Sequence, residues 1–271
     1  MSNFINTRRQ SFLTETYYTN LCENLKKMCL AFAEEMGLSD TDNEGKSLLT
    51  RSLADDVYEL FSLHYTAGVS CEELRDELGD VVTAYEQHQK ALSIFEEEAD
   101  TAAFYLGEIY EYERLLQLIG LAYLLHRRDL LPRIAKLADT NFYGLDAAYE
   151  ELLDYGLAER YDTDDISFYE PYNDLVQAMY ADTDAESVAE LQKYLLAWYP
   201  AMSNAPWHDS HLEMTDTEGV YFGYWAFEAG AIAHLRKLDD SEITHMIYPK
   251  DLVAWANANE HLADEPYAPA V

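Results

Sequence analysis

Apolar residues near the start of the chain recur at the spacing of one helix face. The stripe consists of Tyr18, Leu21, Cys22, Leu25, Met28, Cys29 and Phe32. Steps of three and four residues place such side chains along one side of an α-helix, so the segment is predicted to be an amphipathic helix. Gly37 follows the stripe, and we expect the helix to stop there because glycine commonly ends helices.

The same spacing predicts further long helices up to the middle of the chain. One is expected from about Lys46 to Gly68. Ser70 and Glu73 then form the capping-box pattern, in which each side chain bonds a free backbone N–H of the other residue, so a third helix is expected to begin there. A fourth is predicted to start after Asp100 and to reach the basic residues at 126–128, where cations suit the negative end of the helix dipole.

The second half of the chain differs in composition, because it contains prolines, and its predicted helices are shorter. The predicted elements are short helices over 129–139 and 145–154, a helix that Thr183 and Glu186 cap and that ends at 198–200, a loop over 201–217, and a buried helix over 218–235. No segment shows the alternation that is typical of strands.

These patterns predict an all-α fold, a multi-helix bundle of two packed helical subdomains. We place the boundary where the predicted helices become shorter and prolines appear. This gives an N-terminal helical domain over 1–128 with long helices and a C-terminal helical domain over 129–271.

The balance of charge points to the kind of partner. The sequence has 51 Asp and Glu against 18 Lys and Arg, a net charge of −33 at pH 7, and its 49% hydrophobic content is that of a folding chain. Such a surface repels nucleic acid and anionic membranes and attracts basic partners. We therefore expect a basic protein partner, no direct nucleic-acid binding and no membrane. Solubility or a halophilic habitat would also explain the acidity.

Signals for export, membrane insertion and metal binding are missing from the sequence. Residues 1–10 have no apolar stretch, and no run of 18 apolar residues occurs. The three cysteines form no C-x-x-C pair, and their number is odd. We expect a cytoplasmic protein without cofactor; a homo-oligomer stays open.

Acidic residues are concentrated in one stretch. Residues 137–235 contain 20 Asp and Glu, while their only Lys and Arg residues are Arg160 and Lys193. Segments of one sign usually steer a partner, although a solvated helix face is the alternative. Another acidic cluster, Glu96 to Glu98, lies in the first half. The predicted contact residues are Asp162, Asp164, Asp165, Glu170, Asp174, Asp182, Asp184 and Glu186.

Candidates for chemistry are few. The scattered glycines form no phosphate loop, and neither G-x-S-x-G nor H-E-x-x-H occurs. His208 and His211 are spaced so that they could bind a metal, and Glu228, inside an apolar stretch, could be a general base. Structural hydrogen bonding is the alternative for all three residues. We expect no enzyme and no metal site.

An ordered string of motifs occupies residues 190–253. It consists of Lys193-Tyr194-Leu195-Leu196-Ala197-Trp198-Tyr199, Trp207-His208-Asp209-Ser210-His211, Tyr221-Phe222-Gly223-Tyr224-Trp225-Ala226-Phe227-Glu228-Ala229, Leu238-Asp239-Asp240-Ser241 and Tyr248-Pro249-Lys250-Asp251-Leu252. This string resembles the C-terminal domain of the PoNi family, immunity proteins for PoNe-type nuclease toxins. Ile247 departs from it, where the pattern has another aromatic residue. The first half resembles the family's helical first domain in length and pattern.

The resemblance implies an immunity protein that binds and inhibits a cognate antibacterial DNase, delivered by a type VI secretion system, and so protects the producer and its kin. An acidic scaffold protein, or an enzyme that uses His208 and His211 or Glu228, are the alternatives.

The family motif itself is assigned to the scaffold. Its residues are Trp198, Tyr199, Trp207, His211, Gly223, Tyr224, Trp225, Phe227, Glu228, Asp239, Asp240, Tyr248, Pro249 and Asp251. Gly223 and Gly230 are expected on one helix face, Asp239-Asp240-Ser241 at a helix N-cap, and Pro249 in the first turn of the last helix.

Overall fold

The computed structural model describes residues 4–37, 41–105 and 107–263. Within these ranges it contains α-helices and short 3-10 turns and no β-strand, so the predicted all-α, multi-helix fold is confirmed. The helices are α1 Phe4–Thr7, α2 Glu15–Met36, α3 Asn43–Ala67, α4 Cys71–Glu96, α5 Ile109–Leu124, α6 Leu131–Lys136, α7 Asp139–Phe142, α8 Ala147–Asp154, α9 Tyr169–Tyr180, α10 Asp184–Ala201, α11 Phe227–Leu235 and α12 Lys250–Ala258.

The helices group into two compact units. Unit 1 comprises Met1–Ala103 and Asp209–Gly223, and unit 2 comprises Phe104–His208 and Tyr224–Val271. These units differ from the division at residue 128, because α5 belongs to unit 2 and a short segment from the second half belongs to unit 1. The division into domains over 1–128 and 129–271 stays a prediction.

Unit 1 is built on the long helices α2, α3 and α4, with α3 packed against both of the others. Their ends match the sequence signals. Gly37 is the C-cap of α2, and Gly68 ends α3 in the left-handed conformation at φ 95°. Ser70 and Glu73 form both halves of the predicted capping box at the start of α4.

The fourth helix begins later than predicted, at Ile109 and not after Asp100. Glu97 and Asp100 both have positive φ values, of 57° and 58°, which a helix cannot continue through. The backbone N–H of Thr101 donates instead to the hydroxyl of Ser93. The chain therefore turns between α4 and α5.

Unit 2 is organised around α5, in which every residue from Glu111 to Leu124 is buried. The helix α11 packs against it. Gly120 makes this approach close, because a Cβ there would lie 2.8 Å from the backbone nitrogen of Glu228. Between α11 and α12, Gly230 has the same effect, since its Cβ would meet Pro249 at 2.7 Å.

The predicted helix over 218–235 is wrong in its first half, because α11 begins only at Phe227. Gly223 has a φ of 118° and lies outside any helix, so Gly223 and Gly230 do not share a helix face. The backbone before Gly223 bonds to side chains instead. The carbonyl of Phe222 accepts from Thr66, and the N–H of Tyr221 donates to the hydroxyl oxygen of Tyr17.

Two other local predictions also need correction. Asp239-Asp240-Ser241 is not a helix N-cap, since it forms a turn in which the Asp239 carboxylate accepts from the Ser241 N–H at 3.1 Å. The segment predicted as a loop over 201–217 contains a 3-10 turn at Ser210–Leu212. Pro249 is the N-cap residue that immediately precedes α12, close to its predicted place in the first turn.

Candidate partner-binding surface

Arg160 connects the start of the acidic loop 161–167 to α7 and α8. Its guanidinium donates to Glu150 Oε2 at 2.7 Å and to Asp139 Oδ1 at 2.8 Å, and the Arg160 side chain is only 6% exposed. The backbone N–H of Tyr161 donates to the same Glu150 carboxylate. Since Arg160 is paired with the carboxylates of Glu150 and Asp139, its positive charge does not neutralise the other acids of this segment.

The loop that follows Arg160 is fixed at the start of α8. The Ala147 N–H donates to the carbonyl of Asp165 at 2.7 Å, and the Ser167 N–H donates to Asp146 Oδ2 at 2.8 Å. Asp146 is itself buried and also accepts from the hydroxyl of Tyr112. The exposed side chains of this loop therefore start from a held backbone, which lowers the entropy that a binding partner would have to remove.

Exposed tyrosines alternate with carboxylates on this part of unit 2. Tyrosine is favoured at protein interfaces because it joins a large apolar ring to a hydroxyl. We name the set the acidic tyrosine face; its residues are Tyr143, Glu151, Asp154, Tyr155, Tyr161, Asp162, Asp164 and Tyr180. The four tyrosines are between 37% and 55% exposed.

Several contacts show that these residues lie close together. The Tyr180 hydroxyl donates to Glu151 Oε1 at 2.5 Å. Partial burial and the charges of Glu151, Asp162 and Asp164 raise the pKa of Tyr180 above its usual value, so these acids act on one phenol.

Tyr155 and Tyr143 extend this surface on either side. Burial raises the pKa of Tyr155, the positive charge of Arg236 opposes the rise, and the charges of Glu151 and Asp154 add to it. The ring of Tyr143 lies 6.4 Å from that of Tyr161, between centroids. The face thus combines negative charge with aromatic surface, which suits a basic protein.

The other predicted contact residues lie in different settings. Asp165 is exposed on the held loop, and Glu170 lies at the start of α9. Burial and the charge of Glu190 raise the pKa of Asp174, which places it near that residue.

The last three predicted contact residues lie around the start of α10. Asp182 and Asp184 are exposed there. Glu186 bonds the Thr183 backbone and hydroxyl as half of a capping box, so this acid already has a structural task.

Part of the acidic tyrosine face was not among the predicted contact residues. Asp154 and Tyr155 follow Glu151 by three and four residues at the end of α8, where Tyr155 is the C-cap, and this spacing marks one polar helix side. That signal was available in the sequence. The proximity of Tyr180 to them was not, since 29 residues separate it from Glu151.

Aromatic residues of the family motif lie in a buried cluster elsewhere in unit 2. We name it the aromatic motif cluster; its residues are Trp198, Tyr199, Trp207, Tyr224, Trp225 and Phe227. Trp198 stacks on Trp207 with 5.2 Å between ring centroids, and Tyr199 meets Tyr224 edge to face at 5.1 Å. All but Tyr199 are less than 9% exposed. This burial supports a scaffold role, which stays a prediction.

Glu228 is also inside unit 2. It is fully buried, and its Oε1 accepts from the hydroxyl of Tyr194 at 2.5 Å. Burial raises the pKa of Glu228 to about 7, while the hydrogen bond from Tyr194 opposes the rise. A carboxyl enclosed in this way has the surroundings of a structural group, since a substrate could reach it only if the core opened.

The remaining motif residues have ordinary structural settings. Asp240 accepts from the hydroxyl of Tyr248 at 2.9 Å. Asp251 is exposed in the first turn of α12, where a negative charge suits the helix dipole. His211 and Gly223 lie in unit 1.

The two histidines proposed as metal ligands both contact aromatic rings. The ring of His208 stacks on Tyr199 and that of His211 lies against Phe12, each at 4.3 Å between centroids. Across residues 4–37, 41–105 and 107–263, no three His, Cys, Asp or Glu side chains are grouped so that they could hold a metal ion. These contacts favour packing roles for both histidines.

No helix in the described ranges is both long and apolar enough to cross a membrane.

Comparison with known proteins finds a family model that matches part of the chain. Residues 144–252 match the family model described as "PoNe immunity proteins (PoNi), C-terminal". The matched range includes the whole aromatic motif cluster and every residue of the acidic tyrosine face except Tyr143. Over this range, the chain is similar to the C-terminal region of these immunity proteins.

A solved structure shares the fold over nearly the whole length. The crystal structure of protein PA2201 from Pseudomonas aeruginosa superposes with a TM-score of 0.69 at 18% identity, covering 94% of this chain and 92% of that one. A likeness at this identity concerns the fold alone. The search of curated proteins gave no significant match.

Proposed function

We propose that this protein binds and inhibits a PoNe-type DNase toxin in the cytoplasm of the cell that makes it, and so protects that cell and its kin. The match of residues 144–252 to the PoNe immunity family carries the proposal. The toxin is a weapon against rival bacteria, delivered by type VI secretion, and the protein acts on it by binding alone, without a cofactor or chemistry of its own.

The acidic tyrosine face is the proposed contact with the toxin. A DNase must present cations to the phosphates of its substrate, so the groove that binds DNA is basic. Acids that meet this groove compete with DNA for the same charges. Because Arg160 is bound to Asp139 and Glu150, it does not offset the charges of Asp162 and Asp164 on the loop beside it.

Charge and aromatic surface have separate tasks in this proposal. Long-range attraction brings the partners together faster than the range of about 10⁵–10⁶ M⁻¹s⁻¹ found without steering. Tyr155, Tyr161 and Tyr180 then pack against the toxin, and burial of their rings slows dissociation. The held backbone of residues 160–168 limits the ordering cost of that step.

The test is inhibition of the neighbouring nuclease by the purified protein. We expect full inhibition of DNA cleavage at equimolar protein. The double reversal Asp162→Lys with Asp164→Lys should shift the inhibition curve to higher protein concentration by about tenfold or more, since steering is worth 10–10³ in rate. The control is Glu96→Lys with Glu98→Lys, which makes the same change in net charge at exposed positions of unit 1. If both double variants lose inhibition to the same extent, the acidic tyrosine face is not the contact with the toxin.

A second measurement separates DNA competition from inhibition at a distance. If the face covers the DNA groove, a catalytically dead toxin that is bound to the protein should no longer retain a DNA duplex in a gel-shift assay. A ternary complex of protein, toxin and DNA would leave the immunity role standing and would exclude competition for phosphates as its cause.

A further inference from the structure

Unit 1 contains a cleft that the proposed function does not use. It has a volume of about 350 Å³ and lies between α2, α3 and the segment 217–220. On α2 the apolar side chains of Leu21, Leu25 and Met28 line the cleft together with Tyr17, Asn20 and Asn24. The other two segments contribute the acids Asp56, Glu59 and Glu218. A cleft with apolar walls and several carboxylates has the character of a site for a cation on an apolar stem.

One carboxylate oxygen of Asp56, a residue that lines this cleft, lacks a hydrogen-bond partner among the described residues. The residue is 8% exposed, and the oxygen is Oδ2. A buried, unpaired carboxylate is costly, and such groups in native proteins usually have a functional explanation. Burial, and then the charge of Asp55, raise the pKa of Asp56 to about 6.

The nearest cation on the same helix is already bound elsewhere. Arg51 Nε donates to Asp55 Oδ2 at 2.8 Å, and the hydroxyl of Tyr85 donates to the other Asp55 oxygen at 3.0 Å. On α2, burial and then the charge of Asp56 raise the pKa of the Cys29 thiol to about 11, so it is a neutral neighbour. Apart from burial, the effect that raises the pKa of Asp56 is therefore the negative charge of Asp55.

The wall of the cleft that faces the two helices is fixed in place. The Tyr17 hydroxyl accepts from the backbone N–H of Tyr221 at 2.7 Å, and Asn20 donates to the carbonyl of Asp216 at 2.8 Å. Gly219 has a φ of 136° and leaves room for the Tyr17 ring, which a Cβ would approach to 3.1 Å. The cleft is thus formed before any ligand enters.

We infer that this cleft binds a guanidinium or primary ammonium group carried on an apolar stem. Asp56 Oδ2 accepts a charge-assisted hydrogen bond from the cation, and Leu21, Leu25 and Met28 pack against the stem. The carboxylates of Glu59 and Glu218 add to the negative potential of the site. The described carboxylates form no group fit for a metal ion, so an organic cation suits the site better.

The test uses the purified full chain and two probes of nearly equal shape, n-butylguanidinium and n-butylurea. We expect calorimetry in 150 mM salt to show that the cation binds at least about tenfold more tightly than the neutral urea, because one charge-assisted bond is worth about 1.5–3 kcal/mol. Equal binding of the two probes, or binding of neither, would overturn the inference, and this comparison needs no variant.

Asp56→Asn locates the site. The variant should lose about tenfold in affinity for n-butylguanidinium, whereas Glu96→Gln, an exposed acid elsewhere in unit 1, should bind as the wild type does. Unchanged binding by a folded Asp56→Asn would contradict the assignment. If that variant does not fold, the chemical shift of Asp56 in the wild type on adding the cation replaces it, and no shift would overturn the site.

The source of the cation is decided by a third probe, N-acetylarginine amide. Tighter binding of this probe than of n-butylguanidinium supports capture of an arginine side chain from a protein. Weaker binding, at least tenfold, supports a small free amine or guanidine as the ligand. Neither outcome depends on the toxin, so the inference and the proposed function stand or fall separately.

Discussion

The acidic tyrosine face and the aromatic motif cluster are both rich in aromatic residues, and both lie in unit 2. They differ in where the rings are. Trp198 and Trp225 of the cluster are 1% and 4% exposed, whereas Tyr161 and Tyr180 of the face are 55% and 46% exposed. In the cluster, rings pack on rings; in the face, the rings lie among carboxylates.

This difference separates recognition of the family from recognition of a partner. The motif string makes the family resemblance visible, yet most of its aromatic side chains are buried, as the predicted scaffold role requires. The surface that we propose as the contact with the toxin lies on residues outside that string. A loss of protection after substitution therefore has two different meanings, which stability measurements can separate.

The largest expected effect is from Trp225→Ala. Loss of this buried ring should lower the free energy of unfolding by about 3–5 kcal/mol, a large share of the ~5–15 kcal/mol of a typical domain. Urea unfolding measures it, with Tyr180→Ala on the face as the matched control, which should change stability by less than about 1 kcal/mol. A fully folded Trp225→Ala protein that fails to bind the toxin would place Trp225 at the interface.

Arg160 connects the face to the interior, so Arg160→Met should damage both stability and binding. It leaves Glu150, whose side chain is 1% exposed, without its cation, at an expected cost of about 3–5 kcal/mol. Hydrogen exchange should become faster in residues 161–167. Lys193→Met is the control, because Lys193 and Glu190 form an exposed pair, and it should leave unfolding unchanged. Equal behaviour of the two variants would refute the anchoring role.

The buried carboxyl of Glu228 makes the stability of the protein depend on pH. The pKa of Glu228 is about 7 in the folded protein, above an unfolded value near 4.3. A raised pKa means that the folded state holds the proton more tightly, so this contribution to stability is complete below about pH 4 and is lost as pH rises through 7.

Glu228→Gln tests this contribution. The wild type should lose stability relative to Glu228→Gln between pH 4.5 and 8, by on the order of 2–3 kcal/mol, in denaturant titrations at each pH. Asp162→Asn on the face is the control and should track the wild type. Parallel curves for wild type and Glu228→Gln would show that Glu228 titrates as it does in the unfolded chain.

The sequence predicted local features of the fold better than features that depend on distant contacts. The capping boxes at Ser70 and Thr183 were found because their signal spans only four residues. The start of α11 was missed because apolar content alone does not show that Gly223 takes a positive φ. In place of a helix, the carbonyl of Phe222 accepts a hydrogen bond from the Thr66 hydroxyl, and no local sequence pattern predicts this contact.

The acidic tyrosine face was predictable to a similar degree. The density of acids located the stretch, and Asp162 and Asp164 were among the predicted contact residues. Arg160 was visible as one of two cations in residues 137–235. Its inward orientation toward Asp139 and Glu150 was not visible, because that depends on how α7 and α8 pack.

The measurement that tests the central claim most directly is stopped-flow association with the cognate toxin at 50 and 300 mM salt. Wild type should associate faster than about 10⁶ M⁻¹s⁻¹ at low salt and slow steeply at high salt, because the attraction is screened. Asp162→Lys with Asp164→Lys should be at least about tenfold slower at low salt, with unfolding unchanged, and Glu96→Lys with Glu98→Lys should stay near wild type. The account is contradicted if the association rate of the wild type does not change with salt and the two charge-reversal variants associate equally fast. The acidity then serves solubility, and the acidic tyrosine face does not recognise the toxin.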